Sequence, residues 1–286
     1  MIVVQVMGGL GNQMFQYACG RAVALRSAKQ LYLDVLDVHR FPVDTVRPYE
    51  LDKLNIQATP LYSLEEVLAV GRGLGLKSMQ VYQERQLYCF DPSIIAIRDN
   101  AILAAGYWQS ERYFQDFAEV IRQELTPNIN CLSVESLDLA SEINQYQSIA
   151  VHVRRGDYKK INNVLPIDYY QTAINYFTAR ISEPHFYIFS DDVEWCKNEF
   201  MKFAPNAQLV QHTFDKGSHE DLWLMSQCKH NIIANSSYSW WGAWLNKNVN
   251  KIVVAPEEWC SSPCTTLDLI PNDWIKLSIH NGKITA

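Results

Sequence analysis

The sequence predicts an α/β fold: two Rossmann-like domains facing a central cleft. Three observations carry that expectation. Short apolar runs alternate with helix-periodic stretches, a β-then-α order that implies parallel sheets with helices on both faces. The first run, Ile2-Val3-Val4-Gln5-Val6, passes through a glycine-rich turn into a helical pattern, the opening of an α/β unit. The chain has 286 residues, 48% of them hydrophobic, which suits two domains of roughly 100–200 residues each.

After that first strand, Met14, Tyr17, Ala18, Arg21, Ala22 and Leu25 recur at helical spacing and predict a helix over 13–28. Leu31–Asp34 reads as the next strand. Helical patterns follow at 63–75 and 110–124, with Ser63 and Ser110 as N-caps, and Ala101–Tyr107 is strand-like. Between 125 and 147 the pattern loosens around Thr126-Pro127-Asn128. The domain boundary is placed there, giving 1–130 and 131–286. Beyond it, buried strands are expected at Ile149–Val153, Phe186–Phe189, Ala207–Val210, Asn231–Ala234 and Ile252–Val254. Helices are expected between them at 168–181, 192–203, 219–227 and 238–246. The sequence has no internal repeat and no low-complexity tract.

A net charge of −6 argues against a nucleic-acid or anionic-membrane partner. The seven cysteines (19, 89, 131, 196, 228, 260 and 264) lack a framework spacing, and only Cys260 and Cys264 are close. No second pair or histidine accompanies those two to make a zinc site, so all seven are read as reduced thiols. The chain starts directly on a strand without a basic leader. It contains no apolar run of about 18 residues, so no transmembrane segment is expected.

The most informative stretch is His152-Val153-Arg154-Arg155-Gly156-Asp157-Tyr158, directly after the apolar Ser148–Val151. It falls where a buried strand runs into a loop, the end at which open α/β sheets bind ligands. Adjacent guanidiniums beside an imidazole suggest a local positive site for a small anion on an acidic molecule. Arginine meets phosphate oxygens two at a time and stays charged at any working pH. Gly156 allows a sharp turn, and Asp157 can brace one arginine.

Taken with Gly8-Gly9-Leu10-Gly11-Asn12-Gln13-Met14-Phe15-Gln16-Tyr17-Ala18 near one end, this stretch resembles the α-1,2-fucosyltransferases of glycosyltransferase family 11. His219-Glu220-Asp221-Leu222, Met225–Cys228, Ala234–Ala243 and Pro256–Trp259 add to the resemblance in the same order. It spans almost the whole chain. It implies a GT-B-like architecture, with the acceptor on the first domain and the GDP-fucose donor on the second. The activity implied is inverting transfer of L-fucose from GDP-β-L-fucose to O2 of a galactose-terminated glycan, including a lipid-linked one. The family's eukaryotic Golgi members carry a membrane anchor. This chain is therefore expected to be a cytoplasmic bacterial member, peripheral at most at the inner face of the membrane.

By resemblance, Gly11, Asn12 and Gln13 approach the donor diphosphate and the acceptor hydroxyl. Arg154 takes the β-phosphate, and His152 takes the diphosphate or the ribose. Arg155, with Asp157 and Tyr158, shapes the site. Asp221 reads guanine, whose paired N–H donors a carboxylate can accept, although it can equally be a helix-dipole partner. Ser236 and Ser237 bind phosphate at a helix start, where serine is also a routine N-cap. Trp240, Trp241 and Trp244 are read as packing residues. Ser190-Asp191-Asp192 closes a strand, and its carboxylate pair could ligate a divalent ion. Helix capping is preferred, because the arginines already supply the charge and the family works without metal. No cofactor is expected.

Other readings stay open. The Gly8–Gly11 loop could serve a dinucleotide oxidoreductase, but its spacing is not G-x-G-x-x-G, and Asp34 is the nearest candidate acidic partner. A non-catalytic GDP-sugar binding protein is one alternative; fucosyl transfer in an α-1,6 or protein O-linked sense, which shares parts of the arginine stretch, is another.

Overall fold

The computed structural model describes residues 1–36, 47–73, 79–211, 217–260, 266–280 and 282–285, with the side chains of 68 and 71–73 left out. The chain divides into two compact units, Met1–Asn128 with Thr265–Leu269, and Ile129–Cys264 with Ile270–Ala286. The segment ending at Leu269 thus groups with the first unit, although it lies far along the chain.

The first unit runs β1 (Ile2–Gln5), α1 (Leu10–Ser27), β2 (Leu31–Asp34), β3 (Thr59–Leu61), α2 (Leu64–Gly73), β4 (Gln80–Gln83), α3 (Pro92–Ile95), β5 (Ala101–Ala104) and α4 (Ala118–Glu124). The five strands are parallel in the order β3-β2-β1-β5-β4. Helix α1 lies close on β1 because Gly20 faces Val4, where an added Cβ would come within 2.2 Å of a valine methyl. It stops at Ala28, whose left-handed φ of 52° turns its N–H back onto Ala24 and Leu25. Beneath α1, Arg21 pairs with Glu124 at 2.7 Å and Tyr17 donates to the same carboxylate at 2.5 Å. Ser63 caps α2 as expected, accepting from the Glu66 N–H while Glu66 accepts from the Ser63 N–H. Residues 74 and 75 of the expected helix lie outside the described residues.

Three expectations change here. The strand from Ala101 ends at Ala104, because Ala105 and Trp108 adopt left-handed φ of 46° and 56°. The stretch 110–124 forms two single turns before α4, with Ser110 capping the first of them. Cys260 is disulfide-bonded, which corrects the reading of every cysteine as a thiol. Cys19, Cys89, Cys131, Cys196 and Cys228 are free, and Cys264 lies outside the described residues.

The second unit runs α5 (Val134–Ile143), β6 (Gln147–Val153), α6 (Ile167–Thr178), β7 (Pro184–Ser190), α7 (Val193–Asn198), β8 (Gln208–Leu209), α8 (Ser218–Gln227), β9 (His230–Ile232), α9 (Ser237–Leu245), β10 (Val253–Pro256), β11 (Ile275–Leu277) and β12 (Ile284–Thr285). Its sheet order is β12-β11-β10-β9-β6-β7-β8, parallel except for the β11–β12 pair. From β8 to β11 this is the 3-2-1-4-5-6 order of dinucleotide-binding folds, with β6 as the first strand. Ile149, Val151 and Val153 point into a core with Tyr169, Tyr170 and Phe177 of α6 and Cys196 of α7. The strict alternation of a strand therefore sends His152 to the opposite face. Among the described residues, no helix is long and apolar enough to cross a membrane.

Candidate functional site

The strand order of the second sheet reverses at β6, which pairs with β7 on one side and β9 on the other. Ligands of open α/β sheets bind at such a reversal, outside the carboxyl ends of the strands. The loop that leaves β6 there is the arginine stretch. Pairing aligns Val153 with Ser190, so the residues that follow, Arg154 and Asp191, emerge side by side. The Arg154 guanidinium meets Asp157 at 2.5 Å and Asp191 at 2.8 Å, and lies over the Tyr158 ring, 5.2 Å from its centroid. Its Nε is buried and has no hydrogen-bond partner among the described residues. Asp191 also accepts the Arg155 backbone N–H at 2.8 Å. Gly156 permits that approach, since a Cβ there would sit 2.6 Å from the Asp191 carboxylate.

Arg155 turns the other way. It stacks on Trp195 at 3.9 Å and pairs with Asp192 at 3.2 Å, while Lys159 reaches the same carboxylate at 3.0 Å. Asp192 also caps α7 by accepting the Trp195 N–H at 3.3 Å. Burial opposes its charge, but the bonds from Lys159, Trp195 and Arg155 hold the carboxyl below its ordinary value. Capping thus describes Asp192 but not Asp191, which instead holds Arg154; Ser190 supports the turn by accepting the Asp192 N–H at 3.0 Å.

These contacts correct the picture of a local positive site: the brace expected from Asp157 is joined by two more carboxylates. Arg154, Arg155 and Lys159 are matched by Asp157, Asp191 and Asp192, so this cluster is balanced rather than cationic. His152 adds no charge either. Its ring is buried at 5% exposure, and burial, reinforced by Arg154 and opposed by Asp191, pushes its pKa down to about 4. It is a neutral imidazole at pH 7, tilted against Tyr238 at 5.5 Å, with Nδ1 unpartnered among the described residues.

That placement has a measurable consequence. Between about pH 6.5 and 4 the unfolded chain holds a proton on His152 that the folded chain refuses. The stability contributed by the neutral ring is complete above pH 6.5 and is lost as pH falls toward 4, by up to about 3 kcal/mol at roughly 1.4 kcal/mol per unit. Urea unfolding of wild type and His152→Gln at pH 7.5 and 4.5 should show a smaller acid loss in the variant. Equal losses would contradict a buried neutral His152.

The second wall comes from β9 and α9. Ser236 sits at the N-cap position, but its hydroxyl makes no capping bond; it pairs with Tyr158 instead. Tyr158 in turn donates to the Asn235 carbonyl at 3.1 Å, and burial pushes its pKa up. The far end of α9 is treated differently, since Lys251 donates to the carbonyls of Ala243 at 2.8 Å and Asn246 at 2.9 Å. The carboxyl end of α9 is thus closed by a cation. Its amino end, which starts with Ser237, carries no acidic residue in the first turn. Trp240, Trp241 and Trp244 are buried, as their packing role requires. Tyr238 ties α9 to α8 by donating to the Ser218 carbonyl.

Asp221 stands half-buried in the first turn of α8. Its neighbour Glu220 serves structure: it accepts from the Ser133 N–H at 3.2 Å and from the hydroxyls of Ser133 and Ser136, fixing α8 to the start of α5. Asn235, which the sequence reading did not single out as a site residue, is a hub. Its amide donates to the carbonyls of Asn163 at 3.0 Å and Trp259 at 3.1 Å, joining three loops behind the site. Only its position at the end of a buried strand signals that role.

In the first unit the sheet reverses at β1, beside β5, and the Gly8–Gln13 loop leaves β1 there. Gly8 has a φ of +77°, and Gly9 starts α1 without a side-chain cap. Asn12 accepts from Gln109 at 2.7 Å. Gln13 does not face a ligand: it is fully buried, donates to the carbonyls of Gly8 and Pro48 at 2.8 Å, and accepts the Glu50 N–H at 3.0 Å. Gly11 is buried in the first turn of α1, so it shapes the loop through its backbone.

Residues 98–278 match the model of glycosyl transferase family 11. The chain is 34% identical to an α-1,2-colitosyltransferase of Escherichia coli, over 96% of this chain and 98% of that one. It is 33% identical to the O-antigen biosynthesis glycosyltransferase WbnK of the same species, over 94% and 98%. Human galactoside α-(1,2)-fucosyltransferase 1 is 24% identical over 83% of this chain and 63% of its own length. In fold, the chain is similar to the fucosyltransferase NodZ from Bradyrhizobium, with a TM-score of 0.51 over 84% of this chain and 91% of that one, at 12% identity. The shared architecture is GT-B-like.

Proposed function

The chain belongs to glycosyl transferase family 11, and from that premise we propose that it transfers L-fucose from GDP-β-L-fucose to O2 of a galactose-terminated glycan, with inversion. The observation that carries the proposal is the coincidence, at the reversal point of a 3-2-1-4-5-6 sheet, of a braced arginine and an uncharged helix start. A diphosphate suits both: guanidinium N–H groups for its oxygens, and backbone N–H groups at the amino end of α9. In this reading the second unit holds the donor and the first unit serves the acceptor.

Fucose is a 6-deoxy sugar, so its glycosidic cation forms comparatively readily and bond cleavage runs ahead of attack. The protein's task is then to stabilise charge growing on the departing GDP, and preorganised donors do this best. Arg154 is assigned to the β-phosphate, with its fork fixed by Asp157 and Asp191. His152, neutral, is assigned a hydrogen bond to the diphosphate or ribose rather than a charge. Asp221 is assigned to guanine, and Ser236 and Ser237 to phosphate through the start of α9.

Turnover is proposed to need no metal. Both carboxylates that could hold one already have cationic partners: Asp191 with Arg154, and Asp192 with Arg155 and Lys159. A second reading follows from the 34% identity to a colitosyltransferase. Colitose is fucose without its 3-hydroxyl, so a site that makes no demand on O3 would accept either donor. Purified protein should be incubated with a β-galactoside and either GDP-fucose or GDP-colitose, with and without excess EDTA, and the product linkage read by NMR. An α-1,2-fucosyl product at an EDTA-insensitive rate is expected. Transfer from GDP-colitose alone would move the donor assignment. Loss in EDTA with recovery on a stoichiometric divalent ion would reassign Asp191 and Asp192 to a metal.

A further inference from the structure

We infer that Gln109 is a positioning residue that sets the orientation of Asn12; the inference rests on the reading of Asn12 as a group that faces the substrates. Neighbouring strands β1 and β5 flank the reversal of the first sheet, so the loops leaving them border the crevice such a sheet opens. Asn12 lies in the first turn of α1, into which the loop leaving β1 runs, and Gln109 lies on the loop leaving β5. The Gln109 amide nitrogen donates to Asn12 Oδ1 at 2.7 Å, and with Gln109 only 5% exposed, water competes poorly for that bond. The Asn12 carbonyl is thereby turned to Gln109 and its amide nitrogen to Gly8. A Cβ on Gly8 would lie 2.7 Å from that nitrogen, at a φ of +77° that already calls for glycine.

Gln109 is itself firmly held. Glu84, whose pKa burial raises, accepts the Tyr107 N–H at 2.8 Å and the Trp108 N–H at 3.1 Å. Gly106 admits no side chain, because a Cβ would come within 2.6 Å of the Trp108 ring. Fully buried Gln16 accepts the Met7 N–H at 2.9 Å and donates to the Gly106 carbonyl at 3.0 Å, locking the two loops together. Two non-glycine residues here, Ala105 and Trp108, hold left-handed conformations. Strain of that kind gathers where the geometry it fixes is used, and a site group needs a support that leaves it a single orientation. The bond from Gln109 therefore sets which way the Asn12 amide turns.

The test replaces the donor with an acceptor. Gln109→Glu obliges Asn12 to turn its amide over, and Gln109→Met removes the bond without adding charge. Both variants should keep a melting temperature close to wild type and bind GDP within twofold of it, while kcat falls at least tenfold. In an Asn12→Ala background, Gln109→Glu should change kcat by less than twofold, because the residue it acts through is gone. The Asn12 side-chain NH₂ resonance of ¹⁵N-labelled protein, identified by its loss in Asn12→Ala, should move in Gln109→Glu whether or not a donor turns over. An unmoved resonance, full turnover in both single variants, or multiplicative losses in the double variant would overturn the role of Gln109. A wild-type protein that turns over no GDP-sugar would count against the proposed reaction instead, and the resonance would still decide the positioning.

Discussion

Arg154→Ala is expected to lower kcat by a factor of about 10²–10³, the roughly 2.7–4 kcal/mol attached to losing one preorganised donor at a developing charge. The structure sharpens the companion prediction for Arg154→Lys. The guanidinium reaches Asp157 through one terminal nitrogen and Asp191 through the other, and covers Tyr158 with its face. A lysine ammonium is a single point on a flexible stem, so it can hold neither both carboxylates nor a pair of phosphate oxygens. Rescue by lysine should therefore be slight. Steady-state kinetics with GDP-fucose, alongside circular dichroism to confirm folding, distinguishes the outcomes. Near-full turnover in a folded Arg154→Lys protein would remove the forked contact.

Asp221→Asn should weaken GDP binding roughly ten- to hundredfold. The substitution keeps size but sets an amide N–H where an oxygen accepts, and leaving a buried donor unpaired costs about 1–3 kcal/mol. Asp221 is half-buried in the first turn of α8, next to Glu220, which braces α5. Circular dichroism of Asp221→Asn shows that the change in affinity is read on a folded protein. Calorimetry that finds GDP affinity unchanged would take Asp221 out of the base pocket, and a loss shared equally with ADP would leave it as a dipole partner only.

The sequence revealed most where chemistry and periodicity coincide. Ile2–Val6 with the following glycine loop and helix reads clearly because buried parallel strands are continuously apolar. The Ser63–Glu66 pair announces a helix start before any tertiary contact is known. By contrast, β3 and β4 are edge strands with little to distinguish them: β3 contains Pro60, and β4 is bounded by Gln80 and Gln83. Helix α5 hides in the loosened stretch, although Ser133 caps it by accepting the Ser136 N–H.

At the site, the Arg154–Asp157 brace is local, three residues apart, and so could be anticipated. The Arg154–Asp191 contact depends on the register between β6 and β7, which no local pattern encodes. The neutral state of His152 follows from burial beside Tyr238, 86 positions away in the chain. Gln13 shows the opposite error. An amide at a helix start suggests an anion contact, yet the backbone of Gly8, Pro48 and Glu50 takes up its hydrogen bonds.

Hydrogen–deuterium exchange with and without saturating GDP tests the placement of the nucleotide most directly. Protection is predicted at residues 153–158, at 235–239 across the start of α9, and in the first turn of α8. The Gly8–Gln13 loop should respond to GDP-fucose more than to GDP alone. Protection confined to the Gly8–Gln13 loop, with the arginine stretch and the start of α9 exchanging as in the free protein, would contradict the assignment of the second unit to the donor.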